Sequence, residues 1–574
     1  MKNYSVKSSV DIGITLNKPD SVKQNYQPEV NHILDMYKGA TILITGGTGF
    51  LGKVLLEKAI RCLNVRKIFV LIRQKEGLSA EERLFKLMQD AIFGKVRQNY
   101  RNQDDLMAKL EAVQIDLESD RLCQCSEDCE RRLLQQTEIV FNVLASVKFN
   151  ETIRNALQTN VAGTRKVLQL AQRMKKLRSL VHISTLYSNC QRKVIEEKVY
   201  QDIPMDHATI LQLTSTLSEQ QMDNFQHCFL GPMPNTYTFS KKCAEAMIQN
   251  EFSHLPIGIF RPPIVLSTYR EPVPGWTDNL NGPSGVCMWA VKGLIHVIWG
   301  DASKKANLVP VDYCVNAIIV AAYDIREKHR RNESSLDGSE NEMQSTQHHN
   351  DDNVSSVVCE WQDKLTSVSH RKREMPTYNF MYSEHSLSWG KYMQMVSLGF
   401  DNRLHQLVWN YSYVITSYRP LFHLLSFCFH TVPAILLDTV RRFRRKKPVY
   451  QKAMKKTRHI LEMMSYFGLR QWTVRNANVR HMRTLLSREE TQLLEFDMAA
   501  IDWNEYFRTY IPGIRCYWFG ECTIRPGCWN PTAQRRFHYV QRLFHRLVYI
   551  WICVRLTRLT SKFVLKNLFA MLIA

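Results

Sequence analysis

Two absences narrow the class of protein that this sequence can encode. The N-terminal residues MKNYSVKSSVDIG have no apolar core, so we expect no secretory signal peptide. The fifteen cysteines are scattered, and the tightest cluster, Cys123, Cys125 and Cys129, lacks histidines at zinc-site spacing. We therefore predict free thiols, no metal site and a reducing, cytosol-facing location.

Carboxylates are also scarce relative to cations. The 574 residues include 76 Lys and Arg against 54 Asp and Glu, which gives a formal net charge of +22. Such an excess indicates an anionic partner or surface, and nucleic acid, an acidic membrane and a phosphorylated substrate all remain open at this point. The length allows two or more domains, and a hydrophobic content of 45% suffices for a large core.

The most informative stretch is TILITGGTGFLG, residues 41–52. Its first five residues predict a buried strand, and Lys53–Cys62 predicts an amphipathic helix after a glycine turn. Gly46 suits the tight turn, Gly49 lets a pyrophosphate approach the backbone, and Gly52 lets helix and strand pack closely. The helix start offers free N–H groups to phosphate. We predict a dinucleotide site here, the alternative being a purely structural glycine turn.

The second strand, Lys67–Ile72, ends without the acidic residue that commonly holds the ribose hydroxyls of NAD. Arg73 follows it instead, and Lys75 lies close by. Because a cation suits a 2′-phosphate, this pattern favours NADPH over NADH. The alternative is a solvated basic turn.

Strands and helices continue to alternate along the chain. The predicted elements are a helix at Ala80–Phe93, a strand at Val113–Leu117 that sets Asp116 beside the adenine, a strand at Glu138–Leu144 that leads into Ala145 and Ser146, a helical stretch at Asn150–Arg173 that contains Asn160, and a strand at Ser179–Ser184 that leads into Thr185. This alternation predicts an α/β fold with a Rossmann-type, doubly wound parallel sheet.

A second chemical signal is the YxxxK spacing of Tyr237 and Lys241. Residues four apart lie on one face of a helix. A nearby ammonium favours the ionised phenol, so we expect Lys241 to lower the tyrosine pKa from its ordinary value of about 10. A tyrosine tuned in this way can give or take a proton near neutral pH. The alternative is a surface pair on a helix.

With these motifs the chain resembles an extended short-chain dehydrogenase/reductase, and more closely the alcohol-forming fatty acyl-CoA reductases. The resemblance covers most of residues 37–520. The matching stretches are TGGTGFLGK (45–53), ASVKFNETI (145–153), HISTLYSN (182–189), PNTYTFSKKCAE (234–245), FRPPIV (260–265), EPVPGWTDNLNGPSG (271–285), VPVDYCVNAII (309–319), HTVPAILLD (430–438) and FDMAAIDWNEYFRTYIPGIRCY (496–517). The glycine turn and YxxxK are shared by the whole superfamily, whereas the PGWTDNLNGP stretch and the C-terminal block are more specific to the reductases.

The resemblance implies that NADPH reduces a long-chain acyl-CoA to a primary fatty alcohol, with release of coenzyme A and two hydride transfers through an aldehyde. Tyr237 would protonate the developing alkoxide, and Lys241 would bind the nicotinamide ribose and tune Tyr237. Ser184 or Thr185 would hydrogen-bond the carbonyl oxygen, and the sequence does not say which. Asn160 would support a proton-relay water. The implied role lies in lipid metabolism, such as wax or ether lipid synthesis.

The residues expected to contact the cofactor include the glycine turn, the basic end of the second strand and the catalytic pair. They are Gly46, Thr48, Gly49, Phe50, Leu51, Gly52, Arg73, Lys75, Asp116, Ala145, Ser146, Tyr237, Lys241, Arg261, Pro262 and Ile264.

Composition divides the chain into five parts. Residues 1–36 predict a flexible arm with a short helix near Val30–Tyr37. Residues 37–400 predict the NADP-binding reductase domain, interrupted at 327–376 by a polar insertion without regular structure. An apolar and basic linker at 401–448, a mostly helical domain at 449–520 with Trp472, Phe496, Trp503 and Tyr506 in its core, and a tail at 521–574 follow.

The C-terminal composition predicts membrane association. Leu421–Leu437 is uncharged but slightly short for a span, and it is either a monotopic membrane patch or part of an acyl-tunnel wall. Ten Lys or Arg and no acid lie between Arg441 and Arg458, which suits anionic headgroups, the phosphates of coenzyme A or a solvated helix face. The acid-free tail from Gln534 to Ala574 alternates apolar runs with cations and predicts an interfacial attachment.

We therefore expect the protein on the cytosolic face of the endoplasmic reticulum or peroxisome. Long-chain acyl-CoA and membrane lipids are the expected partners, and a homo-oligomer stays open. The cations interleave with long apolar stretches, which disfavours nucleic acid. The alternatives are a reductase or dehydrogenase of another lipid carbonyl, such as an aldehyde or sterol, and a non-catalytic NADP-binding sensor. A nucleotide-sugar epimerase would share the glycine turn and YxxxK without needing the C-terminal block.

Overall fold

The central element is a seven-stranded, wholly parallel sheet with the strand order β11-β7-β5-β4-β1-β2-β3. A computed structural model describes residues 31–203, 205–346, 374–399 and 413–520, with isolated positions between Tyr539 and Arg558. The strands of this sheet are β1 Thr41–Thr45, β2 Lys67–Arg73, β3 Leu110–Ile115, β4 Ile139–Asn142, β5 Ser179–Ile183, β7 Ile257–Arg261 and β11 Thr377–Asn379. Most of their residues are apolar and buried, as in parallel sheets that are covered on both faces.

Six short strands pair outside this sheet. They are β6 Val194–Ile195, β8 Ile264–Leu266, β9 Val297–Trp299, β10 Leu308–Pro310, β12 Val414–Thr416 and β13 Thr473–Val474. The pairs β8–β10, β9–β12 and β6–β13 are all parallel. Two of these pairs join the region after residue 413 to the region before residue 300.

Helices connect the strands and cover the sheet. The α-helices are α1 His32–Tyr37, α2 Phe50–Cys62, α3 Ala80–Leu87, α4 Gly94–Asn99, α5 Gln103–Ala108, α6 Glu127–Gln136, α7 Ile153–Leu157, α8 Gly163–Gln172, α9 His207–Thr216, α10 Glu219–Asn224, α11 Gln226–Leu230, α12 Thr236–Glu251, α13 Pro283–Val291, α14 Val311–Thr346, α15 Trp389–Val396, α16 Arg419–Ser426, α17 Val432–Phe443, α18 Tyr450–Gly468, α19 Ala477–Thr484, α20 Arg488–Leu493 and α21 Trp503–Gly513. These findings confirm the predicted doubly wound α/β fold.

Several predicted element boundaries differ from the observed ones. The helix after the glycine turn begins at Phe50 rather than at Lys53, because the extended residue Gly49 is its N-cap. The helix predicted at Ala80–Phe93 ends at Leu87, after which the Asp90 side chain caps a separate 3₁₀ turn. The predicted stretch Asn150–Arg173 comprises α7, a π-helical turn at Gln158–Ala162 and α8.

The predicted insertion at 327–376 is partly helical. Helix α14 continues to Thr346, so a segment without regular structure does not begin at residue 327. The apolar first half of α14 is buried and packs against β5, and the helix continues from it into the polar residues. Residues 347–373 lie outside the described part of the chain. The chain rejoins the sheet at β11, where Tyr378 pairs with Phe260 of β7.

The helices described between residues 413 and 520 have no separate core. Phe496, Tyr506 and Tyr510 are fully buried in the same hydrophobic cluster as Ile42 of β1 and Ile318 of α14. Trp472 is buried in a second cluster against α12, and Trp503 is only partly buried. The region that we predicted as a helical domain therefore completes the core around the sheet.

One helix in the described part of the chain is long and apolar enough to cross a membrane. Helices α16 and α17 join through a π-helical turn at Phe427–Thr431 into one helix, Arg419–Phe443, with a mean hydropathy of 1.6 in its most apolar window. Only 39% of that window is buried in the protein. The N-terminal arm before residue 31, residues 401–412 of the predicted linker and nearly all of the predicted tail lie outside the described residues.

Candidate active site

A cavity of about 850 Å³ lies at the carboxyl ends of the sheet strands. In doubly wound sheets this edge is where ligands bind. Of the predicted site residues, those that line the cavity are Gly46, Thr48, Gly49, Phe50, Leu51, Gly52, Arg73, Lys75, Ala145, Ser184, Thr185, Tyr237, Lys241, Pro262 and Ile264. The fold thus brings together residues that are nearly 220 positions apart in the chain.

The glycine turn leaves no room for side chains. Gly46 has φ +66°, and a Cβ on Gly52 would stand 2.1 Å from the Gly46 carbonyl oxygen. The Gly49 N–H donates to the Gly46 carbonyl at 2.9 Å, which closes the turn at the start of α2. This cradle of backbone N–H groups at a helix N-terminus fits the pyrophosphate of a dinucleotide.

Three cations line one end of the cavity. Arg73 and Lys75 are exposed at and after the end of β2, as predicted, and Arg83 on α3 joins them. The Arg83 guanidinium donates to the carbonyl of Arg73, which ties α3 to the strand end. Arg83 was missed in the sequence because it is ten residues from Arg73. The sequence does carry a signal for Arg83: Ser79 caps α3, and helical spacing counted from Ser79 places Arg83 near the start of that helix.

Tyr237 and Lys241 lie on the first turns of α12, which the Asn235 side chain caps by accepting the Thr238 N–H at 2.9 Å. The Tyr237 ring stacks on Phe149, with the ring centroids 5.9 Å apart. The Lys241 ammonium is buried and donates to the Ile183 carbonyl at 2.7 Å.

The predicted lowering of the Tyr237 pKa is wrong. Burial raises the pKa of the Tyr237 phenol to about 12, against a hydrogen bond with Thr185 that lowers it. Burial also lowers the pKa of Lys241 to about 8, while the nearby Glu245 carboxylate raises it. Desolvation disfavours the charged form of each group, and here it outweighs the attraction expected from spacing alone.

Ser184 and Thr185, which the sequence could not tell apart, have different partners. The Ser184 hydroxyl donates to the carboxylate of Glu245. The Thr185 hydroxyl lies within hydrogen-bonding reach of the Tyr237 phenol and accepts the Tyr187 N–H at 3.3 Å. Only Thr185 therefore has its hydroxyl beside Tyr237.

Glu245 is the centre of a buried polar network that the sequence did not reveal. Its carboxylate accepts from the Arg261 guanidinium at 2.6 and 3.0 Å and from the Ser188 hydroxyl at 2.8 Å. Arg261 is fully buried and also donates to the Glu196 and Lys198 carbonyls. Arg261 was predicted to contact the cofactor, but it does not line the cavity because Glu245 holds it behind the wall.

Three further predicted residues do not line the cavity. The Asn160 side chain is fully buried, accepts the Ser146 N–H at 2.7 Å and donates to the Ser240 hydroxyl at 2.9 Å. The Ser146 hydroxyl donates to Glu151 at 3.1 Å. The Asp116 carboxylate accepts the Glu118 N–H at 2.9 Å. Asn160 thus fixes the loop that carries Ala145. The side chains of Ser146 and Asp116 form hydrogen bonds with residues close to them in the sequence.

The other end of the cavity is apolar. It is lined by Ile298 and Trp299 of β9, Trp389, Tyr392 and Met393 of α15, Ile415 of β12, and Leu461, Met464 and Phe467 of α18. The Asp278–Pro283 segment of the PGWTDNLNGP stretch lines the cavity between the two ends. Such a wall suits a long hydrocarbon chain.

Comparisons with known proteins give the family. Two family profiles, both described as "Male sterility protein", match residues 44–318 (NAD_binding_4) and 429–521 (Sterile). "Fatty acyl-CoA reductase wat" of Drosophila melanogaster is 31% identical over 489 residues, 84% of each chain. "Fatty acyl-CoA reductase 1" of Xenopus laevis is 33% identical over 492 residues, 85% of this chain and 86% of that protein. The chain belongs to the fatty acyl-CoA reductase family.

Solved structures agree with the fold of this reductase. The terminal R domain of the myxalamid PKS-NRPS biosynthetic pathway has a TM-score of 0.50 and 17% sequence identity, over 84% of this chain and 92% of that domain. Its membership of the family makes the protein an oxidoreductase of fatty acyl groups with a nicotinamide-dinucleotide-binding fold. Within the described residues no group of three or more His, Cys, Asp or Glu side chains is placed to hold a metal ion. Cys123, Cys125 and Cys129 are free thiols, as predicted.

Proposed function

We propose that the protein reduces long-chain acyl-CoA to primary fatty alcohol with NADPH and releases free coenzyme A. One observation carries this proposal: a single cavity joins the glycine turn, the Tyr237 phenol and a long apolar wall. The reaction would take two NADPH and two protons for each acyl-CoA, through an aldehyde. The relatives are named fatty acyl-CoA reductases, which supports the same substrate class.

The three cations at the end of β2 support NADPH as the cofactor. Arg73, Lys75 and Arg83 line the cavity on the side of the glycine turn where β2 ends. In this fold the end of β2 is where the adenine ribose is recognised, and a cation there suits a 2′-phosphate. A nicotinamide cofactor bound along this edge supplies hydride to the carbonyl carbon.

Tyr237 would give the proton that the developing alkoxide needs. A phenol with a pKa near 12 stays protonated at neutral pH, which is the form required of a proton donor in the reductive direction. Thr185 would donate a hydrogen bond to the carbonyl oxygen, since its hydroxyl lies beside the phenol while Ser184 is committed to Glu245. Negative charge develops on that oxygen, so donors aimed at it stabilise the transition state.

Lys241 would hold positive charge next to the reacting groups. Its ammonium is fixed by the Ile183 carbonyl, and its pKa of about 8 keeps it charged at neutral pH. In the first reduction the tetrahedral alkoxide collapses, the carbon–sulfur bond breaks and the thiolate of coenzyme A leaves. The aldehyde then accepts a second hydride at carbon and a proton at oxygen to give the alcohol.

The test is NADPH oxidation by the purified, detergent-solubilised protein with a series of acyl-CoAs, together with chromatography of the products. We expect alcohol and free coenzyme A, and a loss of about 10²–10⁴-fold in kcat for Tyr237→Phe with cofactor binding retained. Tyr200→Phe, which alters another buried tyrosine that does not line the cavity, is the matched control. Aldehyde as the only product would contradict the two-step reaction, and no turnover despite NADPH binding would contradict the substrate.

A further inference from the structure

The surface of helix Arg419–Phe443 exposes large apolar side chains. Phe427 is 52% exposed, Leu436 is 59% exposed and Phe443 is 85% exposed. Leu424, Ile435 and Val440 add to the same helix surface. Contiguous exposed apolar side chains of this size mark a surface that another apolar phase covers.

Buried side chains hold this helix against the rest of the protein along its length. Phe422 is fully buried and stacks on Trp299, with the ring centroids 5.6 Å apart. The buried His430 accepts the backbone N–H of His296 at 2.9 Å. The buried Asp438 accepts the backbone N–H groups of residues 449, 450 and 451 at 2.9 to 3.0 Å, which joins α17 to α18. We call this unit, residues 419–468, the hairpin.

A cluster of cations lies at one end of the apolar surface of the hairpin. The last turn of α17, the connecting turn and the first half of α18 carry ten Lys or Arg between Arg441 and Arg458, among them the exposed Lys446, Lys447 and Lys455. Within the described residues, none of the ten forms an ion pair with a carboxylate. The covering surface therefore has to be apolar and to carry negative charge.

These charges disfavour two other occupants. The chain from Gln534 to Ala574 has cations but no acid, so it would repel the turn of the hairpin. A second copy of the hairpin would bring like charges together. A bilayer with anionic headgroups is both apolar and negatively charged. Interfacial helices bury apolar side chains at the headgroup boundary, while Lys and Arg bind acidic lipids.

We propose that the hairpin lies on the surface of an anionic phospholipid bilayer, with Phe427, Leu436 and Phe443 in the headgroup–acyl boundary. The hairpin also forms the far wall of the cavity. Leu461 and Met464 of α18 line the cavity, whereas the neighbouring Ile460 is exposed on the outer side. Docking would therefore set the apolar end of the cavity against the bilayer, so that a long acyl chain passes from lipid to cavity. This second step rests on the proposed acyl-CoA reduction.

Photocrosslinking tests the docking in the full-length protein. The photoreactive amino acid p-benzoylphenylalanine is placed at position 427 or 443 of the hairpin, or at the control positions 85 and 225. Phe85 and Phe225 are 50% and 51% exposed and lie on α3 and beside α10, away from the hairpin. The protein is reconstituted with vesicles of phosphatidylcholine and phosphatidylserine that contain a tagged phosphatidylcholine. We expect lipid adducts at 427 and 443 only.

Absence of adducts at both hairpin positions, or equal yields at the hairpin and control positions, would overturn the proposal. Attachment through the tail does not affect this comparison, because all variants carry the same tail. Adducts to a second protein copy at position 443 in place of lipid would instead identify a dimer contact and would also overturn it.

A charge test addresses the anionic lipid and the acyl chain. In Lys446→Gln/Lys447→Gln, the lipid yield at position 443 should fall by about fivefold for each cation removed. The control Lys175→Gln/Lys176→Gln, which changes an exposed pair elsewhere, should leave the yield unchanged. The double variant should lower kcat/KM for vesicle-bound 16-carbon acyl-CoA but not for soluble 8-carbon acyl-CoA. An equal effect of the double variant on both substrates would refute delivery from the bilayer. If the parent protein turned over neither substrate, the proposed function would be refuted but the docking of the hairpin would not.

Discussion

Replacing Glu245 by glutamine should both destabilise the protein and move its pH profile. The Glu245 carboxylate is 1% exposed and lies between the fully buried Arg261 guanidinium and the Ser184 and Ser188 hydroxyls. It also raises the pKa of Lys241, against the lowering effect of burial. The substitution keeps the shape of the side chain, removes its charge and replaces one of its two acceptor oxygens by an NH2 donor.

The loss of stability follows from the buried charge that remains. Removing one partner of a buried ion pair costs about 3–5 kcal/mol, because the other charge is left uncompensated. Arg261 keeps its hydrogen bonds to the Glu196 and Lys198 carbonyls, which places the expected loss at the lower end, about 3 kcal/mol. Since domains have about 5–15 kcal/mol of stability, the variant should still fold.

The pH effect has a definite sign. With Lys241 at a pKa of about 8, the ammonium is present below that pH and is lost as the pH rises through it. If the charged form supports turnover, kcat/KM falls on the alkaline side near pH 8. Without the Glu245 charge the ammonium is less favoured, so the fall in the variant should begin below pH 8. Tyr237 does not titrate in this range because its pKa is about 12.

The assays are denaturant unfolding of the detergent-solubilised protein and kcat/KM from pH 6 to pH 9. Glu196→Gln is the matched control, because Glu196 pairs with Lys198 at 2.6 Å but both side chains are nearly half exposed. An exposed pair contributes about 0–1 kcal/mol, so the control should lose little stability and keep its alkaline limb. The reasoning would be refuted if the free energy of unfolding of Glu245→Gln lay within about 1 kcal/mol of that of the parent protein. It would also be refuted if the alkaline fall in kcat/KM stayed at the same pH.

Three further outcomes are expected. Thr185→Ala should lower kcat by about tenfold or more while Ser184→Ala leaves the carbonyl contact intact, measured by acyl-CoA turnover; the reverse order would contradict the assignment. Arg73→Ala should weaken NADPH binding by about 10- to 150-fold, as for a lost charge-assisted hydrogen bond, and leave NADH binding unchanged in fluorescence titrations. Gly52→Ala should abolish binding of either dinucleotide, because its Cβ would stand 2.1 Å from the Gly46 carbonyl oxygen; retained affinity would show that the turn can shift.

Local chemistry explains what could be predicted from the sequence. The glycine turn, β1 at Thr41–Thr45 and the Tyr237–Lys241 spacing each depend on residues within one turn or one strand. Their sequence pattern therefore specifies their structure without knowledge of the rest of the chain. The same applies to Arg73, which lines the cavity because it ends a buried strand.

Interactions between distant residues explain which features could not be predicted from the sequence. Arg261 is the last residue of the buried strand β7, a position at which a cofactor-binding residue is expected, but its partner Glu245 on the preceding helix holds it behind the cavity wall. The sign of the Tyr237 pKa shift depends on burial, which spacing does not report. Trp299 and Leu461 both line the apolar end of the cavity because α18 packs against β9, which lies more than 150 residues earlier in the chain.

The shared core has a consequence for the order of events during synthesis. Glu490 accepts the backbone N–H groups of Ile33 and Leu34 at 2.8 and 3.0 Å, and Tyr37 donates to the Ile319 carbonyl at 2.7 Å. Ile33 and Leu34 thus gain partners that are synthesised 457 and 456 positions later. At about 5–20 residues per second, the nascent sheet waits many seconds with an uncovered apolar face. Chaperone occupancy during that interval, rather than the folding of a self-sufficient N-terminal unit, would then set the yield of this reductase.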